Sequence, residues 1–151
     1  DQMRVVKTRL LEMLPDARVF LDVDDLTEGK GAEFVDASAV ALVFVSSGYF
    51  TSPNCMREIL RAVVMKTPMF SLVEPEAKKG GLTFEEVRQQ LDDNDAHGFY
   101  YKCGLAKEVA EWGHAMPRAG ELYDALFAAE PIEWNRIGFF QDVSMRLIAN
   151  H

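Results

Sequence analysis

The run AVALVFVS, residues 39–46, is apolar at every position up to its closing serine. A strand with one wet face alternates polar and apolar residues, so a run apolar on both faces belongs in the interior of a parallel sheet covered on both sides. The rest of the chain has the matching rhythm. ARVFLDV (17–23), MFSLVEP (69–75) and PIEW (131–134) are further short strand-type runs, and helical patterning lies between them. Met3, Val6, Leu10 and Leu14 recur at helical spacing until Pro15-Asp16 closes the helix. GAEFVDASA reads as a short helix, and the helix after SSGYFTS runs to about Lys66. In TFEEVRQQL, Thr83 and Glu86 have the spacing of a capping box. DDNDAHG reads as a polar turn and AKEVAEWGH as helical. GFFQDVSMRLIA reads as a last amphipathic helix with Phe139, Val143 and Ile148 near one stripe, and Trp134 is placed to anchor that helix on the sheet.

Alternating strands and helices of these lengths predict an α/β protein, a flavodoxin-like doubly wound parallel sheet formed by residues 1–151 as one domain. Such folds place a strand first and in the centre of the sheet. This chain opens with a helix, so that strand is expected upstream of Asp1.

Composition narrows the function. A net charge of −8, with scattered basic residues, repels a phosphate backbone and argues against nucleic acid as a partner. There is no apolar run of membrane-spanning length, and the opening DQMRVVKTRLLEML has no signal-peptide pattern, so a cytoplasmic protein without a membrane partner is expected. Cys55 and Cys103 have no metal-ligand spacing and read as reduced thiols. His97, His114 and His151 show neither metal spacing nor a nucleophile partner. No metal site is predicted.

In an open parallel sheet, ligands bind at the carboxyl ends of the strands, here the loops after Asp22, Ser46 and Glu74. Ser52 followed by Pro53 is a helix start, with a capping hydroxyl and a proline at the first helical position. In that helix Cys55, Met56, Ile59, Leu60 and Val63 form an apolar stripe from which Arg57 and Arg61 point away, while Glu58 falls on its border beside Ala62. By spacing alone, Glu58 is a surface carboxylate paired with Arg61. GKG, with Gly29 and Gly31, is too short for a dinucleotide or phosphate loop.

VFLDVDD resembles the nucleophile motif of haloacid-dehalogenase-type phosphatases, with Asp22 attacking phosphorus, Asp24 as acid/base beside magnesium and Ser46 as the phosphate-binding hydroxyl. That chemistry needs a later acidic pair for the metal, and the following strands offer only Glu74 and Glu133. A receiver domain fails for want of a phosphate-accepting Asp on a neighbouring strand.

Taken together, VFLD, DDLTEGKG, ALVFVSSGYFTSPNCMREIL and TPMFSLVEP are similar in order and spacing to Toll/interleukin receptor (TIR) domains. The similarity covers Met3 to Glu76, and EWNRIGFFQDV resembles the end of the same domain more loosely. It implies the TIR variant of the flavodoxin-like fold. Many members cleave NAD, using a glutamate in a Ser-x-Trp-Cys-x-x-Glu context, which here reads Ser52-Pro53-Asn54-Cys55-Met56-Arg57-Glu58, with Asn54 in place of Trp. The resemblance implies Glu58 as the catalytic residue, with Ser52, Tyr49, Phe20, Asn54 and Cys55 around the substrate. Asp24, Asp25, Leu26, Thr27, Glu28, Gly29, Lys30 and Gly31 correspond to the loop used in self-association and site closure. It implies NAD+ as substrate with no cofactor, other TIR domains as partners, and a role in signalling or immunity. Other TIR domains are scaffolds that only associate, which is the competing expectation.

Chemistry explains why one carboxylate suffices. Ordinary glycosides need an acid for the leaving oxygen and a second carboxylate as base or nucleophile. Nicotinamide in NAD is already cationic and departs neutral. What remains is to stabilise positive charge on the ribose and hold its hydroxyls.

Overall fold

The computed structural model describes residues 2–13, 35–134 and 138–150. Three strands, β1 (Ala41–Val45), β2 (Met69–Val73) and β3 (Ile132–Glu133), form one parallel sheet in the order β1-β2-β3. Ala41 lies opposite Met69 and Val45 opposite Val73, while Leu72 pairs with Ile132. The helices are α1 (Gln2–Met13), α2 (Pro53–Val64), α3 (Phe84–Ala96), α4 (Phe99–Lys102), α5 (Leu105–Glu111), α6 (Ala119–Leu126) and α7 (Gly138–Ala149), with a 3-10 turn at Ala77–Lys79.

Because successive strand residues point to opposite faces, the apolar runs supply two cores. Val43, Val45 and Met69 enter one with Met56, Ile59 and Leu60 of α2, Val87 and Leu91 of α3, and Leu122 and Leu126 of α6. Phe70, Leu72, Ile132 and Trp134 enter the other with Val6 of α1 and Met145 and Ile148 of α7. The described residues therefore form an α/β fold with a three-stranded parallel sheet flanked by helices. Each large side chain buried in this way contributes roughly 1.5–3 kcal/mol. Ser71 is the polar residue on the first face of β2, and its hydroxyl is satisfied by donating to the Leu126 carbonyl at 2.7 Å.

The strand-type runs at 39–46, 69–75 and 131–134 appear at those places, and Trp134 is fully buried between the sheet and α7. The run at 17–23 lies outside the described residues. Three details refine the sequence reading. First, α2, read as running to about Lys66, has its last helical residue at Val64 and its cap at Met65, close to that reading. Lys66 turns left-handed at φ 56°, its N–H donating to the Val63 carbonyl and that of Thr67 to the Ala62 carbonyl, and Thr67, the residue before Pro68, resists continuing the helix. Second, DDNDA is no turn. α3 runs through it to Ala96, since Asn94 and Asp95 find distant partners, and the left-handed Gly98 follows. Third, Val143 of α7 is exposed, and among the described side chains of that helix the inward positions are Ser144, Met145 and Ile148, while the side chain of Phe139 lies outside the described ones. Ser144 donates its hydroxyl to the Glu133 carbonyl at 2.6 Å.

Candidate functional site

The loop leaving the carboxyl end of β1 is a series of tight turns. Tyr49 N–H donates to Ser46 O and Ser52 N–H to Tyr49 O, both at 3.2 Å. Gly48 sits at φ 87°, a left-handed conformation that side chains resist. Ser52 then caps α2: its Oγ accepts from Cys55 N–H at 3.4 Å, and Pro53 takes the first turn, as the Ser-Pro pair predicts. Phe50 is wholly buried, with the ring of Tyr49 edge-on to it at 5.5 Å.

Glu58 stands in the second turn of α2, half-buried between the buried face of Met56, Ile59, Leu60 and Ala62 and the outer face carrying Arg57 and Arg61. The border position read from spacing is where the structure puts it. Cys55, one turn earlier, is half-buried and a free thiol, as is Cys103. The arginines are committed elsewhere. Arg57 Nε donates to Glu108 at 2.8 Å and its Nη1 to Asn54 Oδ1 at 2.6 Å, so the exposed Asn54 side chain braces the start of α2 against α5. Arg61 grips both oxygens of Asp36, at 2.8 and 2.7 Å, and stacks 4.9 Å from the ring centre of Trp112. Spacing alone had offered Arg61 to Glu58; its guanidinium instead takes Asp36. The hydrogen bond from Arg61 holds the Asp36 carboxyl below its ordinary range, against the opposing effect of burial, and the same bond pushes Arg61 up.

The loop after β2 adjoins the one after β1. Ser47 N–H donates to Gly80 O at 2.7 Å, and a side chain on Gly81 would strike the Glu74 carbonyl 2.5 Å away. Glu74 ends β2 with only 1% of its surface exposed, one carboxylate oxygen accepting from Glu76 N–H at 3.0 Å. Glu133, the other acid of the phosphatase reading, is exposed. Sequence reasoning named Glu74 only as an insufficient metal acid and as a strand end and did not foresee its burial, whose signal was its continuing the inward alternation of Phe70 and Leu72. It also passed over Asn94, which occupies the third position of the inward stripe Val87, Leu91, Asn94 and donates to the Phe50 carbonyl at 2.8 Å.

Tyr49, Ser52, Asn54, Cys55 and Glu58 thus fall in the loop after β1 and the first two turns of α2. Phe20, Asp22 and the loop residues Asp24, Asp25, Leu26, Thr27, Glu28, Gly29, Lys30 and Gly31 lie outside the described residues. Among the described residues no cluster of His, Cys, Asp or Glu side chains is arranged to hold a metal, and no helix is long and apolar enough to cross a membrane. What the described part defines is an α/β protein with one half-buried carboxylate on a helix that starts at the carboxyl edge of a parallel sheet. No protein-family model, curated protein or solved structure matches the chain.

Proposed function

We propose that this is a TIR-like domain that cleaves the nicotinamide–ribose bond of NAD+, acting in cytoplasmic signalling or immunity. The single observation that carries the reading is the placement of Glu58, half-buried in the second turn of a helix capped by Ser52 and entered from the carboxyl end of a parallel strand. The sheet supports it, because three parallel strands taken in sequence order fit one half of a flavodoxin-like doubly wound sheet.

In this mechanism the ribose C1′–N bond breaks with its electron pair passing to nicotinamide, which leaves neutral. The Glu58 carboxylate faces the positive charge spreading over the ribose and accepts hydrogen bonds from its hydroxyls. A unit charge about 4 Å away contributes ~4 kcal/mol at an effective dielectric of about 20, roughly a thousandfold in rate. Water then bonds to C1′ and loses a proton to give ADP-ribose, or an adenine nitrogen bonds there and gives a cyclic isomer. Tyr49 and Ser52 line the approach, and no metal or cofactor takes part.

The test is chromatographic analysis of NAD+ incubated with concentrated protein. Nicotinamide release by the wild type that falls about a thousandfold in Glu58→Ala is the expected outcome. Intact NAD+ under conditions of demonstrated self-association would sink the enzyme reading. It would leave a scaffold that signals by association with other TIR domains. Exposed Val5 and Leu11 on α1 and Val143 and Leu147 on α7, two helices packed together, are the observation favouring that alternative.

A further inference from the structure

We propose that Asn94 is a positioning residue for the Glu58 carboxylate: anchored on α3, its amide straps down the loop between β1 and α2 through the Phe50 carbonyl and so sets where α2 begins. The inference rests on the reading of Glu58 as the group that faces the ribose.

Phe50 lies two residues before the Ser52 cap, in a loop with no ladder of its own. Its side chain is fully buried, and its carbonyl accepts from Asn94 Nδ2 at 2.8 Å across 44 residues of chain. A carbonyl in such a place needs a partner, and an asparagine amide donates without bringing in a charge. The donor is itself held firmly. Asn94 is 7% exposed and shares the inward face of α3 with Val87 and Leu91. The next residue, Asp95, accepts from Ala119 N–H at 3.1 Å at the start of α6. Two consecutive side chains in the last turn of α3 therefore tie that turn to α6 and to the loop before α2. The buried Tyr100 hydroxyl lies beside the same amide without a well-formed hydrogen bond.

From Phe50 the placement passes through Ser52, whose carbonyl accepts from Met56 N–H at 3.0 Å, into the turn that carries Glu58. A carboxylate that works by charge and orientation is sensitive to this, since a shift of about 1 Å can cost up to a hundredfold in rate. Asn94 touches no substrate in this scheme. Its effect is on where the helix starts.

The experiment compares Asn94→Leu and Asn94→Asp with Val87→Ala, a cavity on the same helix that leaves the strap intact. Three quantities are read: kcat and KM for NAD+ cleavage, the thermal midpoint, and amide hydrogen exchange over residues 49–58. Both Asn94 variants are expected to lose about tenfold or more in kcat with KM changed less than about threefold. Their Ser52 to Met56 amides should exchange faster. Val87→Ala is expected to lower the midpoint while keeping kcat and the protection of that segment. Unchanged kcat and exchange in a folded Asn94 variant overturns the proposal, as does Val87→Ala reproducing both changes at an equal loss of stability. If Asn94→Leu does not fold, Asn94→Asp keeps the volume, removes the donor and carries the comparison. If the wild type leaves NAD+ intact, the reading of Glu58 fails by itself, and the exchange data still decide whether Asn94 fixes the start of α2.

Discussion

Replacing Arg61 with alanine removes a clamp of three parts. Its Nε and Nη2 form a two-pronged pair with Asp36 at 2.8 and 2.7 Å, its guanidinium stacks on Trp112, and its stem covers the outer side of α2. The Arg61 side chain is 16% exposed and that of Asp36 40%, so solvent screens the pair, and its two-pronged geometry lifts it only to the upper end for exposed pairs, ~1 kcal/mol. Stacking adds about 0.5–1 kcal/mol, and the lost stem contacts bring the total to ~2 kcal/mol. For a domain of this size that is a fall in thermal midpoint of about 4–8 °C, measured by calorimetry at neutral pH and low salt. A double-mutant cycle with Asp36→Ala isolates the pair and is expected to return ~1 kcal/mol. The sign with pH follows from the lowered Asp36 carboxyl. Its contribution is complete above the ordinary value of 3.8 and is lost as pH falls through the lower folded value, so the coupling holds at neutral pH and declines only in acid below about 4. Arg61→Lys, which keeps the charge but neither the fork nor the flat stack, should fall between wild type and alanine. A coupling under about 0.3 kcal/mol at neutral pH, or a lysine variant as stable as wild type, would refute the clamp.

Two further outcomes test the parts around it. Gly81→Ala places a methyl 2.5 Å from the Glu74 carbonyl and 2.9 Å from the Glu76 carbonyl carbon, so the loop after β2 must shift. A loss of about 1–3 kcal/mol in denaturant unfolding is expected, and a neutral substitution would show that this close approach is dispensable. Burial pushes the Tyr100 phenol up to about 12, with the negative charges of Asp95 and Cys103 adding to the effect and Asn94 partly offsetting it. The folded protein therefore favours the neutral phenol; this stabilisation is full below the ordinary value of 10 and is lost as pH rises toward 12, by about 1.4 kcal/mol for each pH unit in that window. Phenolate absorbance should show a late step from Tyr100 while circular dichroism still reports the native fold. If the late step survives in Tyr100→Phe, the assignment is wrong.

What the sequence made legible was local. AVALVFVS announces a strand covered on both sides because its side chains have no wet face to alternate with. Ser52-Pro53 announces a helix start because cap and proline act within one turn, and Thr83 with Glu86 closes its capping box in both directions. What stayed hidden depends on distant partners. Three aspartates around an asparagine look like a turn until Asn94 meets Phe50 and Asp95 meets Ala119, 44 and 24 residues away. Arg61 has Glu58 at a helical neighbour's distance in sequence, yet its partner Asp36 lies 25 residues back. The site was legible as a border position on α2. Its bracing was not, because each brace joins residues whose spacing carries no periodic signal.

That bracing bears on how a single carboxylate can act. A charge that stabilises a transition state does so to the extent that it is already in place, since reorganisation during the reaction would consume the gain. α2 is constrained on every side that the described residues reveal. Its start is fixed by the Ser52 cap and the Asn94 strap, its inner face by Met56, Ile59 and Leu60, and its outer face by Arg57 on Glu108 and Arg61 on Asp36 and Trp112. A helix needed only to fill space beside a sheet is held well enough by its apolar face, at roughly 1.5–3 kcal/mol for each large side chain. As ion pairs the polar braces add less to that sum, since surface pairs of their kind contribute about 1 kcal/mol or less. What they add is direction, because hydrogen bonds and two-pronged pairs are geometrically specific and further oppose rotation about the helix axis. Rotation about that axis is the motion that would carry Glu58 off the border between the buried and solvent faces. If Glu58 acts as proposed, loosening one brace should lower turnover more steeply than it lowers stability, whereas a scaffold would show only the loss of stability.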